Sequence, residues 1–261
     1  MTLFMHRCAA IIIAFTVFLL ASPAARAAGP VVLFDQSHGQ QFLVETERPL
    51  DLSGLAAVFV KQGAEIKTTT TPITDDVLKG VNVLIISGPF APITPPEVLS
   101  IMKFVYHGGK LAVMAHIAQP LTGLLPQMGV AVSNAAVAEQ ENIIDNNPKN
   151  FQIKDLTPHP LTEGLKSFNV YGGWALLEKK KDISIVARTT HKAWVDLNQN
   201  GELNEQDAVQ AFSLVLAGKN GSGEFVVFGD DAIFQNQFLQ DGNLLLAKNL
   251  AKWFCGQKNT I

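Results

Sequence analysis

From Val81 to His116 the chain reads VNVLIISGPFAPITPPEVLSIMKFVYHGGKLAVMAH, and this stretch decides the fold. Val81 to Ile86 is a short apolar run closed by Ser87-Gly88-Pro89, the pattern of a strand buried on both faces. Pro95-Pro96-Glu97 then opens a helix that runs to His107 and stops at Gly108-Gly109. Lys110 to His116 is another apolar strand. A strand, a helix and a strand in this order predict a parallel pair with a crossover helix.

The same alternation extends in both directions. Upstream, Val31 to Phe34 is a buried strand closed by Asp35, Leu52 to Gln62 has helical spacing and ends at Gly63, and Glu65 to Thr71 is rich in β-branched residues. Downstream, Leu121 to Met128 is a short helix ending at Gly129. Phe168 to Leu177, Ile183 to Thr189, Ala193 to Leu197, Ala211 to Ala217 and Glu224 to Phe228 read as strands, and Asn243 to Phe254 as a last amphipathic helix. The expected class is α/β, with a mostly parallel sheet covered on both faces.

The first residues have the form of an export signal. Arg7 precedes the apolar run Ile11 to Leu20, and Ala25-Arg26-Ala27 fits small-x-small cleavage, so residues 1–27 are expected to be removed; an uncleaved anchor is the other reading. Residues 28–261 would then form a single domain, periplasmic or secreted, with no membrane span. The net charge of −3 becomes −5 once Arg7 and Arg26 are gone. No basic cluster remains, which argues against nucleic acid and anionic membrane surfaces. Cys255 is left as the single thiol, so no internal disulfide can form.

Residues 196–207, DLNQNGELNEQD, carry calcium-loop spacing. Asp196, Asn198, Asn200, Asn204 and Asp207 place oxygens at positions 1, 3, 5, 9 and 12, Glu202 offers a backbone carbonyl, and Gly201 permits the sharp bend. Leu203 is expected to anchor the loop to the core. With two clear anions, affinity is expected in the weak extracellular class, on the order of 10⁻⁴ to 10⁻³ M. The alternative is an Asn/Gly-rich tip held by Asx-turns. Ala193 to Leu197 and Ala211 to Ala217 flank the loop, so it would cap a β-hairpin insertion over residues 190–218.

A second candidate site lies where the strands end, since open parallel sheets bind ligands outside their carboxyl ends. Asp35 and His38 follow the first strand, Ser87 the third, His116 the fourth, and Asp230 and Asp231 the late one. His38 or His116 could act as a base. Alternatively, Asp35 and Ser37 cap local turns. His159, set between Pro158 and Pro160, reads as a structural corner.

Three segments together resemble the class I glutamine amidotransferase-like superfamily, in its non-catalytic branches. GGKLAVMAH at 108–116 is similar to the strand before the superfamily's elbow. HPLTEGL at 159–165 and FGDDAIF at 228–234, followed by Asn243 and Asn249 to Trp253, resemble segments of ThuA-like proteins and of auxiliary domains of gliding-motility-type ABC transporters. The resemblance implies a flavodoxin-like three-layer sandwich, and an envelope protein or glycan as partner. Catalytic members place a cysteine on the elbow, where this chain has Ala115-His116-Ile117-Ala118. A thiolate nucleophile has no substitute there, so a non-catalytic binding or scaffold module is expected. A hydrolase or sugar-modifying enzyme using Asp35, His38 and His116 is the alternative, and a purely structural calcium-stiffened protein a third reading.

Overall fold

The computed structural model describes residues 29–198 and 200–256. The export signal expected at residues 1–27 lies outside the described residues, as does Gln199 within the calcium-type loop.

The first half follows the expected alternation: β1 (Val31–Asp35), α1 (Ser53–Lys61), β2 (Glu65–Thr69), β3 (Val83–Ser87), α2 (Pro95–Tyr106), β4 (Lys110–Met114) and α3 (Leu125–Met128). Local chemistry sets the boundaries. α2 begins with a capping box between Thr94 and Glu97 and two prolines in its first turn, where missing N–H groups cost nothing. It stops at Gly108, whose φ of +106° suits a residue without a Cβ.

The second half continues with β5 (Val130–Ala138), β6 (Ile143–Ile144), β7 (Asn147–Ile153), β8 (Asp155–Leu156), β9 (Phe168–Tyr171), β10 (Trp174–Glu178), β11 (Ser184–Arg188), β12 (Trp194–Val195), β13 (Ala208–Val209), β14 (Ser213–Asn220), β15 (Gly223–Phe228) and α4 (Asp241–Cys255). The main sheet has 12 strands, ordered β13-β12-β5-β10-β14-β15-β4-β3-β1-β2, with β11 and β8 joined beside β14. Strands β2, β1, β3, β4 and β15 are mutually parallel; the remaining pairings of this sheet are antiparallel. The sheet is therefore mixed, and its parallel character is confined to one half.

Burial on both faces explains the apolar strands. All five residues of β3 are buried; Val83 and Ile85 join the core that contains α1 and α4, whereas Leu84 and Ile86 join the core that contains α2. Two expectations change. The extended segment Phe168 to Leu177 is broken at Gly172, with φ of +93°, because β9 joins a separate three-stranded sheet with β6 and β7 while β10 enters the main sheet. The calcium-type loop is flanked by the two-residue strands β12 and β13, paired Trp194 to Val209 and Val195 to Ala208; β14 forms its own hairpin with β15.

Candidate functional site

Asp35, Ser87, His116, Asp230 and Asp231 all stand at the carboxyl ends of the parallel strands. The crossover direction reverses between β1 and β3, the place where such sheets open a crevice. The pleat divides the set. Asp35 shares its face with Leu33, on the α2 side, whereas Ser87 shares its face with Ile85, on the α1 and α4 side. Two separate clusters result, and His116 is not hydrogen-bonded to Asp35 or His38.

The first cluster is closed. Asp35 Oδ1 accepts from Ser37 N at 2.9 Å and Ser37 Oγ at 2.7 Å; Oδ2 accepts from Gln40 Nε2 at 2.6 Å and pairs with His38 Nδ1 at 2.7 Å. His38 Nε2 lies 3.1 Å from Glu97 Oε1, and the three side chains are almost wholly buried. Glu97 also accepts from Ile73 N at 2.8 Å and Thr94 N at 3.0 Å. Burial pulls the His38 pKa down, but the hydrogen bonds and charges of Asp35 and Glu97 outweigh it and leave the imidazole above its ordinary value. Burial likewise opposes ionisation of Glu97, and its hydrogen bonds to Thr94 and Ile73 override it, leaving its pKa lowered. The His38 carbonyl accepts from Phe90 N and Ala91 N, both at 2.8 Å, so this cluster ties the loop after β1 to the loop after β3. Sequence reasoning missed Glu97. Its position in the capping box was legible, but not that its second oxygen would meet a histidine.

The second cluster is partly open. His116 Nδ1 lies 3.1 Å from Asp231 Oδ1; the His116 side chain is 36% exposed and that of Asp231 only 1%. The rings of Phe42 and Phe90 each stand 5.1 Å from the imidazole, and Trp174 Nε1 donates to the His116 carbonyl at 2.9 Å. The hydrogen bond that His116 donates to Asp231 raises its pKa against the opposing effect of burial. Burial raises Asp231, and pushes Asp230 up to about 7 although Tyr171 N and Ala232 N both donate to it. Ser87 Oγ and Asp231 Oδ2 are buried without a hydrogen-bond partner among the described residues. Asp231 Oδ2 rests against Gly88, where an added Cβ would meet it at 2.4 Å. His116 is thus oriented at one nitrogen by a buried carboxylate and can donate, or carry a proton, at the other.

Residues 196–207 curl on themselves. Asp196 accepts from Asn200 N at 3.2 Å and Gly201 N at 2.7 Å; Asp207 accepts from Leu197 N at 3.1 Å and Asn204 N at 2.8 Å. Asn198 Nδ2 donates to Asn204 Oδ1 at 3.2 Å, and Asn200 Oδ1 accepts from Glu202 N at 2.9 Å. Gly201 has φ of +81°, as the bend requires. Leu203 does not anchor the loop: it is 40% exposed, because the hairpin tip extends beyond the core. Among the described residues no group of three or more His, Cys, Asp or Glu side chains is arranged as a metal centre.

Two other polar groups have local roles. His159 Nδ1 accepts from Leu161 N at 3.1 Å at the start of a 3₁₀ turn, with its ring edge-on to Trp253. Cys255 is half-buried at the end of α4, and burial pushes its thiol up to about 11. Among the described residues no helix is long and apolar enough to cross a membrane.

The fold is similar to several solved structures. The mmIFT52 N-terminal domain superposes with a TM-score of 0.67 at 20% identity, over 88% of this chain and 100% of that one. The cytoplasmic protein STM1381 from Salmonella typhimurium gives 0.56 at 14% identity, over 87% and 99%. A protein described as ThuA-like from Bacteroides uniformis gives 0.52 at 15% identity, over 92% and 97%. At these identities the likeness is one of fold. No curated protein matches the chain in sequence. One family does: the match spans residues 46–251, most of the domain, and the chain belongs to DUF4350, a domain of unknown function.

Proposed function

We propose that this DUF4350 protein is an exported, non-catalytic binding module of the bacterial envelope, on a flavodoxin-like, amidotransferase-like scaffold, with a structural calcium ion in the loop 196–207. The observation that carries the reading is the closed state of Asp35 and His38, whose polar atoms are spent on Ser37, Gln40 and Glu97. Ala115 and His116 occupy the elbow region, and Cys255, the one cysteine of the expected mature chain, sits in α4 as a protonated thiol. The ligand face on this reading is the half-exposed patch of His116, Phe42 and Phe90. The likeness to transporter auxiliary domains suggests a protein or glycan as the partner.

Calcium would replace the backbone N–H donors now facing Asp196 and Asp207 with a cation bound by Asp196, Asn198, Asn200, Asn204, Asp207 and the Glu202 carbonyl. At about 2 mM calcium and a Kd of ~10⁻⁴ M, binding adds about 2 kcal/mol. That is a rise of roughly 4–8 °C in Tm over the chelated protein. The rise should vanish in the Asp196→Asn/Asp207→Asn double variant. An unchanged Tm in millimolar calcium sinks the metal assignment, and full-length chain in the cytoplasmic fraction sinks the export assignment.

The orphaned Ser87 Oγ and Asp231 Oδ2 beside His116 favour a second reading, a hydrolase acting at this rim. It requires turnover of an ester or glycoside panel that His116→Ala abolishes.

A further inference from the structure

One groove lies away from the strand-end residues, lined by β10, β11 and the segment that leads into β14. Its volume is about 570 Å³, within the range of small-molecule sites. Val132, Leu176, Ile185 and Phe212 supply an apolar lining, and Arg188 enters it half-buried.

Arg188 is unusual here. The described residues contain two arginines. Arg48 is paired with Asp51 at 2.9 Å. Arg188 makes no ion pair and no side-chain hydrogen bond among the described residues, even though Asp155 is its register partner on β8. Its side chain is partly exposed, and the guanidinium offers five N–H donors that no acceptor among the described residues occupies. Ser213 is its register partner on β14, and Leu176 of β10 pairs with the same Ser213. Cation and apolar wall therefore lie in one row across three strands.

Besides Arg188, the polar side chains lining the groove include Glu178, His191 and Gln210. Among the described residues the lining holds no second lysine or arginine, so it offers an acid group one guanidinium and gives a second acid group no such partner.

We propose that this groove binds an amphiphilic monocarboxylate, its carboxylate taken bidentately by Arg188 and its apolar chain laid over Leu176, Val132 and Ile185. A planar guanidinium matches a carboxylate in geometry as well as charge. The apolar lining selects an alkyl or aryl chain.

The test is calorimetric titration of the protein with decanoate below its micelle concentration, beside decanol, acetate and the dicarboxylate sebacate. Decanoate should bind, and each of the other three at least about 10-fold more weakly. Arg188→Gln should weaken decanoate by about 10- to 100-fold and leave decanol unchanged, with Arg188→Lys between. Decanol or sebacate binding as tightly as decanoate, an Arg188→Gln variant of wild-type affinity, or no decanoate binding up to about 1 mM would each overturn the proposal. If Arg188→Gln failed to fold, the comparison of the four ligands on the unaltered protein would still decide it.

Discussion

Replacing Asp35 by alanine separates a brace from a ligand site. The carboxylate is fully buried at its side chain and accepts from Ser37 N, Ser37 Oγ, Gln40 Nε2 and His38 Nδ1. Asp35→Ala strips all of these donors of their acceptor and leaves His38 facing Glu97 alone. Removing one partner of a buried charged pair costs about 3–5 kcal/mol. Each abandoned donor adds about 1–3 kcal/mol where water cannot reach it, and Ser37 is only half-buried. The expected loss is about 4 kcal/mol, or roughly 8–16 °C in Tm for a chain of this size. Asp35→Asn keeps one acceptor and should lose about half as much. Urea unfolding at neutral pH, followed by tryptophan fluorescence and far-UV dichroism, measures it directly. The Asp35→Ala/His38→Ala double variant should cost less than the sum of the single variants by about 1–3 kcal/mol, because both dismantle one network. A loss below about 1 kcal/mol for Asp35→Ala would refute the brace and return both residues to the pool of ligand groups.

Stability should fall as the pH rises from about 5.5 to about 8. His38, His116, Asp231 and Asp230, the last at about 7, hold their protons more tightly when folded, so their contribution is full below their unfolded pKa values and is lost on titration through the folded ones. His159, lowered by burial, works in the opposite direction and only blunts the trend. A urea midpoint that is higher at the alkaline end contradicts this balance. Cys255 should alkylate slowly at neutral pH, with a rate that climbs toward a pKa of about 11; rapid labelling by iodoacetamide at neutral pH would place the thiol outside its buried setting.

How much of this could be read in advance depended on the range over which the deciding interactions act. β1, β3, β4, α1 and α2 were legible because apolar runs, prolines and glycines report burial and chain reversal locally. The pairing of β14 was not: the loop spacing predicts that Ala211 to Ala217 pairs with Ala193 to Leu197, whereas β14 pairs with β15 across the turn at Asn220-Gly221 and β12 pairs with β13. Residues 130–156 were not assigned from sequence. Their four strands gain their place from β10, β12, β9 and β11, which lie elsewhere in the chain. The break at Gly172 was hidden too, because the two halves of one extended run join different sheets.

The chain alone determined which residues would reach the rim: strand ends are a local property, and Asp35, Ser87, His116, Asp230 and Asp231 each follow a strand. Only the tertiary structure decided which of them could meet. The alternation of side chains across the sheet sent Asp35 toward α2, where Glu97 completed its cluster, and left His116 to Asp231 on the other side. Partnership depends on register and on which helix covers which face, and those are fixed by contacts between segments far apart in sequence.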